Sequence, residues 1–315
     1  MKKIACLFPG QGSQSVGMGK DLFDKNPVAR QCFEEIDQIA GRSLSKLSFE
    51  GPEDELKRTV NTQPTILAVS LAAWKAYEAA SGPKPQFLAG HSLGEFTALT
   101  AASALPLQAC VRLVDKRAHL MEVCPAGAMS AVIGMSAETL EQCCRDAQAE
   151  LADSVVIVAN FNTREQLVIS GSPEAVSLAG TKAKAAGAKV IQLPVGGAFH
   201  SPLMSSAAAE FAQELEKVSF AAAEIPVLQN YDALPATAAS EIQAKLSKQM
   251  PSAVRWCKSI EKMLELGVDT FIEIGPGKAL AGMVKKIERS AKVFNIYDQE
   301  SLEKTLADLK ETAAV

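Results

Sequence analysis

The residues best suited to chemistry lie in Gly90-His91-Ser92-Leu93-Gly94. This serine has a glycine two positions to either side, follows the apolar run Pro85 to Ala89 and precedes a helix-like Glu95 to Ala104. That is the pattern of a nucleophile on a strand-to-helix elbow, which exposes the hydroxyl and aims a helix N-terminus at any oxyanion formed there. A serine nucleophile needs a base, and the chain has three histidines, His91, His119 and His200. His91 adjoins Ser92 on an extended stretch, so its side chain is expected to point away from the hydroxyl and orient the turn. His119 shares a helix face with Asp115, Lys116 and Glu122 and reads as a solvated surface histidine. His200, in Gly196-Gly197-Ala198-Phe199-His200-Ser201, is the expected base, the alternative being a satisfied structural histidine. The nearest carboxylate downstream of it is Glu210, so a backbone carbonyl or an amide is expected to orient the imidazole in place of an acid.

Arg117 is the second telling residue. On the helix from Cys110 to Cys124 its neighbours three, four and seven positions away are Cys110, Leu113, Val114, Leu120, Met121 and Cys124. A long stem can snorkel from such a stripe and serve structure alone. No carboxylate shares its face, however, and a guanidinium in a dry place without a partner invites an anion that its planar fork can grip at two points. The acyl donor would then itself be an acid.

The elements that must hold these groups alternate between strand and helix. Ile4 to Phe8 reads as a first strand, followed by helices to about Asn61, a helix Thr65 to Ala80, the elbow and a helix Leu107 to Cys124. This is an α/β pattern with a parallel sheet. From Gly127 the order becomes strand, helix, strand, strand, helix, strand, ending at Leu193, which is a ferredoxin-like βαββαβ unit. We therefore expect a hydrolase-like parallel-sheet core from residues 1–126 and 197–315, with 127–196 inserted and the site in the cleft between them. Beyond the insertion the pattern gives a helix Ser201 to Val218, an irregular stretch to about Ala239, helices Glu241 to Met250 and Val254 to Leu266, a strand Thr270 to Ile274 and closing helices. Two Gly-rich loops, Pro9-Gly10-Gln11-Gly12 and Gly275-Pro276-Gly277-Lys278, read as strand-to-helix turns. The first has the place where such cores find a second oxyanion-binding amide.

Composition narrows the function classes. The 315 residues carry a net charge of -4, with 48% hydrophobic and 22% charged residues, so neither nucleic acid nor an acidic membrane surface is indicated as a partner. No uninterrupted apolar stretch is long enough to span a bilayer. Met1-Lys2-Lys3 resembles the start of a signal peptide, but Pro9-Gly10 cuts the apolar run short. The seven cysteines lack zinc or redox spacing, and a reducing cytoplasm is the expected compartment.

With these residues in view, the chain resembles the malonyl-CoA:acyl carrier protein transacylases of fatty-acid synthesis and the related acyltransferase domains of polyketide synthases, over essentially its whole length. The resemblance rests on Phe8 to Gln14, Gly90 to Glu95, Arg117, Asn160-Phe161-Asn162, Val168 to Gly171, Ala198 to Ser201, Gln249 with Pro251 to Trp256, and Glu273 to Gly277. It implies Ser92 as nucleophile, His200 as base, and the amides of Gln11 and Leu93 as the oxyanion hole. It further implies that Arg117 clamps the malonyl carboxylate, with His91, Phe199 and Asn162 also at the substrate, and that the main-chain carbonyl of Gln249 orients His200. The partners implied are malonyl-CoA and acyl carrier protein, whose phosphopantetheine thiol collects the acyl group, with no metal or redox cofactor. The chain departs from the family's usual pattern in Asn162-Thr163-Arg164-Glu165-Gln166, which lacks a proline. An esterase or thioesterase built on the same elbow is the alternative, though it has no use for a buried cation. A non-catalytic carrier-binding module is a third reading, opposed by the intact Ser92, His200 and Arg117.

Overall fold

The computed structural model describes residues 3–313; Met1 and Lys2, part of the signal-like start, lie outside the described residues. Its strands are β1 (Lys3–Phe8), β2 (Phe87–Gly90), β3 (Ala128–Ile133), β4 (Val156–Phe161), β5 (Gln166–Gly171), β6 (Lys189–Gln192), β7 (Val227–Leu228), β8 (Pro235–Ala236), β9 (Val268–Ile274) and β10 (Lys292–Ile296). They form a six-stranded sheet in the order β10-β9-β1-β2-β7-β8 and a four-stranded sheet in the order β4-β5-β3-β6.

In the larger sheet every pairing is parallel except that of β7 with β8. β1 lies in its middle with Ile4 to Phe8 all buried, as a strand covered by helices on both faces must be. Ligands bind such sheets beyond the carboxyl ends of the strands. The β1–β2 register pairs Phe8 with Gly90, so the loop after β1 and the elbow after β2 leave the sheet side by side.

The helix Thr59–Ala79 runs through Pro64, six residues ahead of the start that this proline predicts. A proline inside a helix leaves the carbonyl four residues back without its partner. Here that carbonyl, of Val60, accepts a bond of 3.0 Å from Arg42 Nη2, so the helix continues and carries Gln63 into the interior. Three further expectations are corrected. The stretch read as irregular holds β7 and β8, two residues each and too short to show a period. Among the expected closing helices lies β10, an edge strand with little alternation in its burial. The helix expected from Val254 begins at Trp256, because Val254 pairs its backbone with Ala159 and Phe161.

The four-stranded sheet is antiparallel throughout, and its strand order with two helices on one face is the ferredoxin-like arrangement. Alternation along its strands divides two jobs. Val132, Leu167 and Ile169 pack with the helices Ala137–Glu150 and Pro173–Ala185, whereas Met129 and Val168 face the main core. The chain is thus an α/β protein: a hydrolase-like core with an inserted βαββαβ unit. A backbone bridge joins Asn160 of the inserted unit to Val254 of the core, and another pairs Ala126 with Gly197 where the chain leaves the core and returns to it.

Candidate active site

Ser92 follows β2 with φ of +52°, a left-handed conformation that a side-chain-bearing residue adopts only under constraint. The flanking glycines serve close approach, not their own torsions. A Cβ on Gly90 would lie 1.8 Å from the Gly94 carbonyl oxygen, and one on Gly94 would lie 2.1 Å from that of Phe8. Asn230 pins the turn: its Oδ1 accepts the Ser92 amide at 2.7 Å and its Nδ2 donates to the Gly90 carbonyl at 2.7 Å.

His200, also left-handed with φ of +58°, brings Nε2 to 2.7 Å from Ser92 Oγ. Its Nδ1 lies 3.2 Å from the carbonyls of both Gln249 and Ser252. Carbonyls only accept, so Nδ1 carries the hydrogen and Nε2 is left to receive one from the serine. Burial, and after it the charge of Arg117, push the imidazole down to about 3, so it is neutral at physiological pH. Glu210 is elsewhere, paired at the surface with Lys116, and His119 is exposed.

Arg117 is 1% exposed, and its Nη2 donates to Ser92 Oγ and to Gln249 Oε1, each at 3.0 Å. Nη1 bonds Gln63 Oε1, the residue that the helix through Pro64 delivers. Nε has no protein partner among the described residues. Burial draws the guanidinium down to about 10, which leaves it charged. The countercharge that its own helix lacks comes from Glu95 on the elbow helix, reached through Gln249, whose Nε2 donates to Glu95 Oε2 at 2.8 Å. Burial raises Glu95 to about 7.

Sequence reasoning missed Gln63, Glu95, Asn230 and the side chain of Gln249. Gln63 and Asn230 lie in stretches read as connections, whereas Glu95 and Gln249 stand in stretches that carry the resemblance but with no role expected of either side chain.

A cavity of about 250 Å³ opens over Ser92 between the two sheets, walled by Gln11, His91, Asn162, Phe199 and His200. His91 Nε2 meets Asn162 Oδ1 at 2.8 Å, and its ring lies 5.5 Å from that of Trp256. Leu93 is buried at the start of the Gly94–Ala101 helix. Among the described residues neither its amide nor that of Gln11 has an acceptor, which leaves both N–H groups available at the ends of β1 and β2. In the Gly275–Lys278 loop the Gly275 amide donates to the Ile296 carbonyl at 2.9 Å, and beyond the loop Glu273 accepts from the Leu280 and Ala281 amides at the start of the following helix. No group of three or more His, Cys, Asp or Glu among the described residues could hold a metal ion.

The profile of the acyl transferase domain family matches residues 6–310. A malonyl CoA-acyl carrier protein transacylase of Bacillus subtilis (strain 168) is 45% identical over 99% of this chain and 98% of its own. The crystal structure of an acyl carrier protein S-malonyltransferase from Vibrio cholerae is 40% identical, with a TM-score of 0.93 over 96% of this chain and 100% of that one. A malonyl-transacylase solved in complex with a type II PKS acyl-carrier protein is 38% identical, with a TM-score of 0.94 over 98% of this chain and 100% of that one. The chain belongs to the acyl transferase family, in its malonyl CoA-acyl carrier protein transacylase branch.

Proposed function

We propose that the protein transfers a malonyl group from malonyl-CoA to the phosphopantetheine thiol of acyl carrier protein, through an ester on Ser92, and so supplies extender units for fatty-acid synthesis. The relatives support the substrate pair. One observation carries the mechanism: Ser92 Oγ has His200 Nε2 at 2.7 Å and Arg117 Nη2 at 3.0 Å. Nucleophile, base and cation meet at one atom.

Ser92 Oγ attacks the thioester carbonyl as neutral His200 takes its proton, and the amides of Gln11 and Leu93 hold the oxyanion. On collapse the C–S bond breaks and His200 returns the proton to the departing CoA sulfur. In the second half the pantetheine thiol gives its proton to His200, its sulfur attacks the ester, and the C–O bond breaks as Ser92 is reprotonated. Neither half needs a metal or redox cofactor. Arg117 receives the malonyl carboxylate, and His91, Asn162 and Phe199 wall the chamber. Neutralising Arg117 also removes the charge that helps depress His200, so an acidic acyl group makes its own base stronger.

In this reading residues 1–126 and 197–315 form the catalytic unit, 127–196 is the inserted one, and seven free cysteines fit the cytoplasm. Service to a polyketide carrier is a second reading, favoured by the relative in complex with such a protein. The test is incubation with mixed acyl-CoAs and mass spectrometry of the adduct. A malonyl ester on Ser92 that holo carrier protein collects is expected; an adduct on another residue, or release only to water, overturns the proposal.

A further inference from the structure

A carboxylate outside the reaction path ties the site together. Glu95 is 1% exposed, and its Oε2 accepts from Gln249 Nε2 at 2.8 Å and from the Asn230 amide at 3.1 Å. Gln249 turns its other end, Oε1, to Arg117 Nη2 at 3.0 Å. A side-chain amide has two orientations related by a half-turn, and the flipped one would set N–H against the guanidinium and C=O against the carboxylate. Arg117 only donates and the Ser92 carbonyl, which Nε2 also reaches at 2.9 Å, only accepts, so these two set the orientation; Glu95 adds the charge-assisted bond that anchors the amide in place.

We propose that Glu95 is a positioning residue for the choice of acyl donor: by fixing the Gln249 amide it holds Arg117 at Ser92, and so sets the preference for a carboxylate-bearing acyl group without touching it. This rests on the reading that Arg117 receives that carboxylate.

The readout is the ratio of malonyl to acetyl transfer from the two CoA thioesters. Glu95→Gln keeps the size but replaces the charged acceptor of Gln249 Nε2 with a neutral amide, so Gln249 keeps its orientation and loses the charge-assisted bond that anchors it beside Arg117. The ratio should fall roughly tenfold or more, chiefly through KM for malonyl-CoA, while labelling of Ser92 by a neutral fluorophosphonate changes less than about threefold. Loss of the fold or of the elbow would abolish labelling as well. In an Arg117→Ala background, Glu95→Gln should leave the ratio where Arg117→Ala put it, because both act at one point.

The wild-type enzyme supplies an arm that needs no variant. The charges acting on Glu95 are Arg117 and Asp232, and its carboxyl is raised to about 7 by burial, whereas burial lowers His91 from its ordinary value and holds His200 down at about 3, so that His200 stays neutral. The wild-type ratio should therefore fall as pH is lowered from about 8 to about 6, while that of Glu95→Gln stays flat. An unchanged ratio in Glu95→Gln, or a flat wild-type profile, overturns the role of Glu95 provided Arg117→Ala loses the preference. If Arg117→Ala keeps the preference, the reading of Arg117 itself falls.

Discussion

The Ser92 hydroxyl donates to His200 and accepts from Arg117, so the group that attacks also engages the cation that is to meet the anion. Ser92→Ala should abolish acyl-enzyme formation and His200→Ala should cost about as much, with the double variant no more than about threefold below either, because the pair acts as a unit. Single-turnover labelling with malonyl-CoA measures this, and a much slower double variant would separate the two roles. Arg117→Ala removes the partner of the substrate carboxylate, a loss of roughly 3 to 5 kcal/mol or about two to four decades in malonyl transfer. Acetyl transfer should be no worse, since a neutral group needs no cation. Arg117→Lys should recover little, because an ammonium cannot span Gln63, Gln249 and Ser92 as the fork does. Equal losses for both donors would make Arg117 structural.

The elements show why a glycine outranks a neighbouring side chain. A Cβ on Gly10 would lie 2.4 Å from the His91 carbonyl oxygen, while at Gly12 there is open space but a φ of +102°. Gly10→Ala should slow acylation by roughly a hundredfold, the scale of losing one oxyanion donor, and Gln11→Ala far less. The reverse order in burst kinetics would assign the role to the Gln11 side chain. These elements also mark how far a sequence can be read. The elbow and the βαββαβ order were legible because glycine spacing and alternation are local signals. The start of the helix Thr59–Ala79 was not, because Pro64 argues for a break and only Arg42, from another segment, satisfies the carbonyl it frees. Likewise Arg117 was legible as a cation in an apolar stripe, but its countercharge lies on another helix and reaches it through Gln249, which no periodicity reports.

For the whole molecule, a buried acid makes stability depend on pH. Glu95 is raised from an ordinary 4.5 to about 7, so between those values the folded protein holds a proton that the unfolded chain has lost. Its contribution to stability therefore declines as pH rises through that window and levels off above it, by on the order of 3 kcal/mol. The melting temperature of Glu95→Gln relative to wild type should rise between about pH 5 and pH 8; a constant difference would mean that the carboxyl titrates normally. The backbone bridges at Ala126 with Gly197 and at Asn160 with Val254 bear on a different matter, the redesign of the enzyme. One ties the two chain crossings to each other and the other ties the inserted unit to the core at Asn160, which lines a chamber of about 250 Å³, so the roof is not a jaw that swings wider for a bulkier guest. Enlarging the range of building blocks accepted must then proceed by carving, with smaller residues at Phe199 or Met121, and loosening the seam would cost the enzyme its shape without gaining it room.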